Sequence, residues 1–178
     1  MNTRRLLWLF LAPLWVATPV VTWAQASPAY VGSRETSAAD LQAIERVTVD
    51  FRTALKTRNG KLLSGLLLND QILFTSPRSP AGVRKQRDES NVHADGVGRG
   101  GAQEFIRFVA TSKLPIEERF YNIKIVQDGH VAWVSFDFDF LEDGKIENHG
   151  VEVWQMLKGA DETWKILSVV WSSKGAPR

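Results

Sequence analysis

Residues 116–171 decide the fold, and they read IEERFYNIKIVQDGHVAWVSFDFDFLEDGKIENHGVEVWQMLKGADETWKILSVVW. Apolar and polar side chains alternate through most of this stretch, which is typical of half-buried β-strands. The Asp-Gly pairs at 128–129 and 143–144 are turn signals of tight hairpins, and a short loop at 159–162 separates the last two runs. The pattern predicts an antiparallel meander with strands at 116–127, 131–142, 145–158 and 163–174.

The sequence before the meander predicts helices and one short strand. Ser37 and Asp40 form a capping box, and apolar residues recur at helical spacing behind them. The predicted elements are a helix over 38–57, a short apolar helix over 61–68, a strand over 71–76 and a helix opened by Gly100-Gly101. Residues 77–98 are rich in Pro, Gly and charge without a period, so we expect a long loop that is either a lid or disordered.

These elements predict an α+β fold. Three helices are expected to cover one face of an antiparallel sheet. We expect a polar, flexible lead-in over 27–36 and a single domain over 37–174.

The two Asp-Gly turns also predict which side chains face the helices. Pairing Gln127 with His130 and Glu142 with Lys145 places one set of side chains inward. The apolar members of that set are Ile123, Ile125, Val134, Phe136, Phe138, Phe140, Val151, Val153, Leu157, Trp164, Ile166 and Val170. Its polar members are Arg119, Tyr121, His149, Gln155 and Ser168. The opposite face is then expected to carry Glu118, Phe120, Trp133, Asp137, Asp139, Asn148, Glu152, Trp154, Val169 and Trp171.

The inward set predicts a ligand pocket, because such pockets combine apolar walls with a few directed polar groups. The expected ligand is a small apolar or aromatic molecule. Its expected contacts are Arg119, Tyr121, Phe136, Phe138, His149 and Gln155. On the opposite face, three Trp among carboxylates favour a homodimer contact through the sheet, formed by Trp133, Trp154 and Trp171.

Two groups are candidates for acid–base chemistry. His149 titrates near neutral pH in its ordinary state, and the alternative is a strand-end His near solvent. Asp139 and Glu152, with Asn148 beside them, form a polar cluster in which one carboxylate would raise the pKa of the other. The alternative is a solvated or dimer-bridging patch. A β-bulge would exchange the two faces and move this cluster inward.

Several carboxyl-terminal motifs carry a family resemblance: Phe138-Asp139-Phe140, Asp143-Gly144-Lys145, GVEVWQ at 150–155 and Trp164-Lys165-Ile166. With the order of elements, they resemble the nuclear transport factor two-like superfamily, and within it the exported SnoaL-like or lumazine-binding members. The resemblance implies a cone of helices and sheet around a pocket. The steroid-isomerase-like members use a carboxylate base before a Pro, where this chain has Ser76.

The superfamily leaves the function open, since it includes isomerases, dehydratases, cyclases, hydrolases, carriers and non-catalytic subunits. Our first hypothesis is an exported, homodimeric protein that binds a small molecule. The alternatives are an isomerase-, dehydratase- or cyclase-like enzyme that uses the same pocket, and a structural or interaction subunit that uses the Trp-bearing face.

Residues 1–26 are typical of a secretory signal peptide. Arg4 and Arg5 precede an apolar run over 6–21, and Ala24-Gln25-Ala26 forms a cleavage site. The run is interrupted by Pro13 and is shorter than the roughly 20 residues that span a bilayer. We therefore expect a periplasmic or secreted protein with no membrane segment after cleavage.

Composition excludes several classes of protein. Cleavage would leave 20 basic against 20 acidic residues, so nucleic-acid binding through a basic surface is not expected. The absence of Cys excludes disulfides and thiol nucleophiles. The sequence has no HExxH cluster, nucleophile elbow, phosphate loop or dinucleotide motif, so neither a metal nor a cofactor is expected.

Overall fold

A computed structural model describes residues 27–97 and 101–177. The chain divides into two compact units, 1–33 and 34–178. Of the first unit only 27–33 is described, and it forms exposed turns. The predicted signal peptide lies outside the described residues, as does Gly98 at the end of the predicted loop. Among the described residues, no helix is long and apolar enough to cross a membrane.

Two helices begin the second unit where the sequence predicts them. Helix α1 spans Ala38–Lys56, and the Ser37 hydroxyl accepts a hydrogen bond from the backbone N–H of Asp40 at 3.2 Å. This contact confirms the N-cap part of the predicted capping box. Helix α2 spans Gly60–Leu66 and is capped by the side chain of Asn59.

The predicted loop over 77–98 is wrong in part, because it contains helix α3, Pro80–Glu89. Ser79 caps the helix and Pro80 occupies its first turn, a combination that favours helix initiation. No side chain of α3 is buried, so the helix has no apolar stripe that periodicity could detect. Helix α4 spans Ala102–Thr111 and begins after Gly101, as predicted.

Five strands form a curved sheet in the order β1-β5-β4-β3-β2. The strands are β1 Leu73–Thr75, β2 Ile116–Asp128, β3 Val131–Glu142, β4 Lys145–Lys158 and β5 Trp164–Trp171. The meander is antiparallel, as predicted, but β1 pairs with β5 in parallel. The sheet is therefore mixed rather than antiparallel. The described residues contain four helices rather than the expected three, because α3 was missed.

A β-bulge in β2 changes which side chains face the helices. Tyr121 pairs with Asp137 while Lys124 pairs with Ser135, so β2 carries one extra residue between these pairs. Asn122 sits in the bulge with a left-handed φ of 53°. The first hairpin also differs from the prediction, since Asp128 pairs with Val131.

Two further register shifts change the faces of β4 and β5. The predicted pair of Glu142 with Lys145 is confirmed, but an extra residue follows, and Phe140 pairs with Asn148. Met156 pairs with Ile166 and Gln155 pairs with Ser168, so Leu167 is an extra residue in β5. The prediction that inward and outward side chains alternate regularly along these strands is therefore wrong.

The bulges correct the predicted faces. The residues that turn inward, against the prediction, are Glu118, Phe120, Asn148, Glu152, Trp154, Val169 and Trp171. The residues that turn outward, against the prediction, are Arg119, Tyr121, Ile123, His149, Val151, Val153, Gln155, Leu157, Ser168 and Val170.

The core lies between α1 and the inner face of the sheet. Trp154 is fully buried at its centre, with ring centroids 4.9 Å from Phe51, 5.1 Å from Phe136 and 5.7 Å from Phe120. Helix α1 is fixed at its start by Asp40, whose carboxylate accepts a hydrogen bond from the indole N–H of Trp164 at 3.0 Å. Together these contacts hold α1 across the sheet.

Candidate functional site

Between the helices and the inner face of the sheet lies a cavity of about 220 Å³, hereafter the aromatic cavity. Two helices and three strands contribute aromatic rings to it. Its apolar wall consists of Phe51 of α1, Phe74 of β1, Phe105 and Phe108 of α4, Phe138 and Phe140 of β3, and Trp171 of β5. Its polar members are Glu118 of β2, and Asn148 and Glu152 of β4.

Simple periodicity places many of these rings. Phe138 and Phe140 are two residues apart on β3, so both point to the same side of the sheet. Phe105 and Phe108 are three apart on α4 and lie on one helix face. The Phe74 and Phe105 rings stack with centroids 4.9 Å apart, and Trp171 meets Phe74 edge-on at 5.2 Å. The wall is therefore continuous from β1 to α4.

Glu118 is the more isolated of the two acids in the cavity. Its residue is 6% exposed, and its carboxyl accepts no hydrogen bond from the described part of the chain. Burial, and then the nearby Glu152 carboxylate, raise the pKa of Glu118 well above its ordinary value. The buried surroundings of Glu118 therefore disfavour its charged form.

Glu152 has one hydrogen-bond partner among the described residues. The residue is 5% exposed, and the indole N–H of Trp154 donates a hydrogen bond to its Oε1 at 2.5 Å. Burial raises the pKa of Glu152 to about 7, and the Trp154 hydrogen bond partly opposes this rise. Burial therefore disfavours the charged form of both acids, and a protonated carboxyl can donate as well as accept a hydrogen bond.

The cavity borders a groove beside the start of α3. Phe74, Asn148 and Trp171 line both spaces, and the groove adds Ser76 and Arg78 among others. The Ser76 hydroxyl is buried and has no hydrogen-bond partner among the described residues. Asn148 Oδ1 accepts a hydrogen bond from the Ser173 hydroxyl at 2.9 Å.

The structure separates the predicted acid–base candidates. Glu152 lines the cavity, whereas Asp139 lies on the outer face, where its carboxylate accepts a hydrogen bond from Tyr121 at 3.0 Å. His149 pairs with Asp139 on that face, and its Nδ1 lies 2.8 Å from the carbonyl oxygen of Gly175. The expected inward position of His149 and the expected cluster of Asp139 with Glu152 are therefore wrong.

The predicted ligand contacts are also divided between the two faces. Phe138 lines the cavity and Phe136 is buried in the core. Arg119 instead forms an exposed ion pair with Glu117 at 3.1 Å, and Tyr121 is exposed beside it. Gln155 accepts a hydrogen bond from Ser168 at 3.0 Å. The bulges account for each of these outward positions.

Of the three Trp expected at a dimer contact, only Trp133 lies on the outer face. It is 39% exposed, and the guanidinium of Arg34 lies 5.6 Å from its ring centroid. Trp154 is core and Trp171 lines the cavity, so the expectation that they lie on the outer face is wrong.

Sequence reasoning missed Glu118 as a functional candidate, because a regular strand turns it toward solvent. The available signal is that the apolar residues Ile116 and Phe120 share a face of the strand with Glu118. That face can turn inward together with Ile125 only if the strand contains a β-bulge between them. Within the described residues, no group of three or more His, Asp or Glu could hold a metal ion.

Comparisons with known proteins bear on the fold. No protein-family model matches the sequence, and no curated protein matches it. Among solved structures, the chain is similar to a nuclear transport factor 2 (NTF2-like) superfamily protein from Salmonella enterica, with a TM-score of 0.56 and 18% identity, over 80% of this chain and 95% of that one.

Two other solved structures support the same likeness. An NTF2-like protein of unknown function from Methylobacillus flagellatus has a TM-score of 0.54 and 18% identity, over 80% of this chain and 98% of that one. A protein of unknown function with a cystatin-like fold from Nostoc punctiforme has a TM-score of 0.56 and 12% identity, over 79% and 95%. At these identities the likeness concerns the fold alone.

Proposed function

We propose that this chain, which has the nuclear transport factor two-like fold, binds a small and largely apolar molecule in the aromatic cavity. One observation carries the proposal: seven rings enclose a space that also contains the two buried acids Glu118 and Glu152. An apolar cavity of roughly 150 Å³ accepts benzene. The aromatic cavity, at about 220 Å³, leaves room for a ring with a short side chain.

A second candidate function is proton transfer to or from the bound molecule, as in an isomerase- or dehydratase-like enzyme. It is favoured by the raised pKa of Glu152, about 7, beside a second buried acid. A group that titrates near the working pH can both take and return a proton. The Glu118–Glu152 pair replaces His149 and the Asp139–Glu152 pair as the acid–base candidate.

The first experiment is a native mass spectrum of the protein purified gently from cells that express the full chain. We expect the protein to carry a retained small molecule, visible as added mass. We propose export from the pattern of residues 1–26, and the same spectrum reads whether that segment has been removed.

A matched pair of variants locates the molecule. Phe140→Trp enlarges a cavity side chain and should abolish the added mass, whereas Tyr121→Trp enlarges an exposed side chain and should leave it unchanged. Protein that carries no added mass, and gains none with an extract of small molecules from the same cells, contradicts the binding proposal. A released molecule that differs from the one supplied favours the enzyme.

A further inference from the structure

The charges in the wall of the aromatic cavity all have one sign. Among the described residues, the ten that line it include two acids and no Lys, Arg or His. An anionic molecule would therefore meet no counter-charge there, and it would face two carboxyl groups. Only cationic and neutral molecules are compatible with this wall, since a buried charge requires an opposite charge or several hydrogen bonds.

The Glu118 carboxyl is a buried polar group that lacks a partner. The residue is more than nine-tenths buried, and no described residue donates a hydrogen bond to it. A hydrogen-bond donor brought by a ligand would give this carboxyl a partner that the described residues do not supply. A donor bound in the cavity can supply this partner, because Glu118 lines the cavity wall.

The rings supply the second half of a cation site. A positive charge over the face of an aromatic ring is attracted by the ring quadrupole, and the attraction is larger in a site shielded from water. Phe138 and Phe140 lie on the strand between Glu118 and Glu152, so rings and carboxyl groups line the same wall of the cavity. A small organic cation can contact both.

We infer that the aromatic cavity binds a small protonated amine, whose ammonium group lies at Glu118 and Glu152 and whose apolar part packs against the phenylalanine rings. This inference rests on the proposed function and names its ligand class. It predicts that binding an ammonium group ionises the acid pair, so that the complex releases a proton when it forms near neutral pH.

The other charged groups near Glu118 do not supply the counter-charge. Arg52 and Lys56 of α1 line a different groove together with Glu118, and Arg52 lies 5.5 Å from the Phe120 ring centroid. On β2, Glu117 and Arg119 pair with each other in solvent. Around Glu152, β5 contributes Trp171 to the cavity, and α4 contributes Phe105 and Phe108, all uncharged.

The test compares three probes of similar shape: 2-phenylethylamine, 2-phenylethanol and phenylacetate. Their dissociation constants for the full chain are measured by calorimetry at pH 6 and pH 8, in buffers of different ionisation enthalpy. We expect the amine to bind at least about tenfold more tightly than the alcohol at pH 8, and phenylacetate to bind most weakly. The amine alone should lose affinity at pH 6 and release a proton.

Variants assign the charge to the two acids. Glu118→Gln and Glu152→Gln should each weaken amine binding by about tenfold or more and leave the alcohol within about twofold. Glu117→Gln, an exposed acid next to Glu118 in the chain, is the matched control and should change neither value. The three-probe comparison on the unaltered protein tests the inference even if a variant fails to fold.

Each outcome has a distinct meaning. Equal affinity for amine and alcohol overturns the amine inference and leaves the binding proposal intact. A lack of binding by all three probes also overturns the amine inference, while the added mass in the native spectrum judges the binding proposal separately. Selective amine binding that survives both cavity substitutions overturns the assignment to Glu118 and Glu152.

Discussion

At the scale of single residues, Glu152 makes the stability of the protein depend on pH. Its pKa is raised from 4.5 to about 7 in the folded protein, so the folded chain binds more protons than the unfolded chain between these values. The free energy of unfolding therefore falls as the pH rises through this window. The charge that lets Glu152 hold a ligand is thus a cost to the empty protein.

Replacing Glu152 with Gln should remove this cost. The amide can still accept the hydrogen bond from Trp154, while the buried charge is lost. We expect the advantage of Glu152→Gln over the unaltered protein to grow by on the order of 2 kcal/mol between pH 4.5 and pH 8, measured by urea unfolding.

Glu117→Gln, on β2, is the control for this prediction, because the pKa of Glu117 is shifted in the opposite direction. The hydrogen bond from Arg119 lowers the pKa of Glu117, so this substitution should not stabilise the protein at pH 8. An equal gain in both variants would show that the effect comes from net charge rather than from burial of Glu152.

At the scale of elements, the bulge in β2 is the feature that places Glu118 in the cavity. Asn122 has a φ of 53°, a conformation that Gly and Asn adopt more readily than β-branched residues. Its side chain also donates a hydrogen bond to Asp137 at 2.7 Å. Two substitutions separate these contributions, because both lose the hydrogen bond.

Asn122→Val should destabilise the protein by about 1–2 kcal/mol more than Asn122→Gly. The reason is that Val, with its branched Cβ, is strained at positive φ, whereas Gly is not. Thermal or urea unfolding of the two variants measures the difference. Equal stabilities would mean that the backbone at this position relaxes without cost and that the bulge does not depend on Asn122.

Much of the element order was predictable from local chemistry. The N-cap at Ser37, the hairpin at Asp143-Gly144 and the alternation along β3 each depend on residues close in sequence. The bulges were not predictable in this way. Tyr121, Ile123, Val151 and Val153 are as apolar as the side chains that face inward in the structure, so hydrophobicity does not distinguish the two faces. Helix α3 was missed because it buries no side chain.

At the scale of the whole molecule, the outer face of the sheet carries exposed apolar side chains. Tyr121, Ile123, Trp133, Val151 and Val153 are each about 40% exposed. Val153 pairs with Ser135 and Val151 with Asp137, so the two Val lie on neighbouring parts of one surface. We propose that two copies of the chain meet through this surface, since apolar patches of this kind mark protein interfaces.

A charge placed in this surface should separate the copies. We expect Val153→Glu to convert a dimer to a monomer, or to weaken its dissociation constant by at least about a hundredfold, in sedimentation velocity. Val92→Glu, which is exposed and lies after α3, is the control and should not change assembly. A monomer in the unaltered protein at micromolar concentration contradicts the proposal.

The parallel pairing of β1 with β5 has a consequence for the order in which the molecule can fold. Leu73 pairs with Ser168, so the wall that Phe74 and Trp171 share joins segments that are far apart in the sequence. Contacts between such distant segments cost more loop-closure entropy than the hairpin contacts of the meander, so we expect them to form after the hairpins. The cavity is complete only when the last strand docks. A ligand bound in the aromatic cavity would therefore stabilise the fully folded chain. It would not stabilise partly folded states in which β5 has not yet paired with β1.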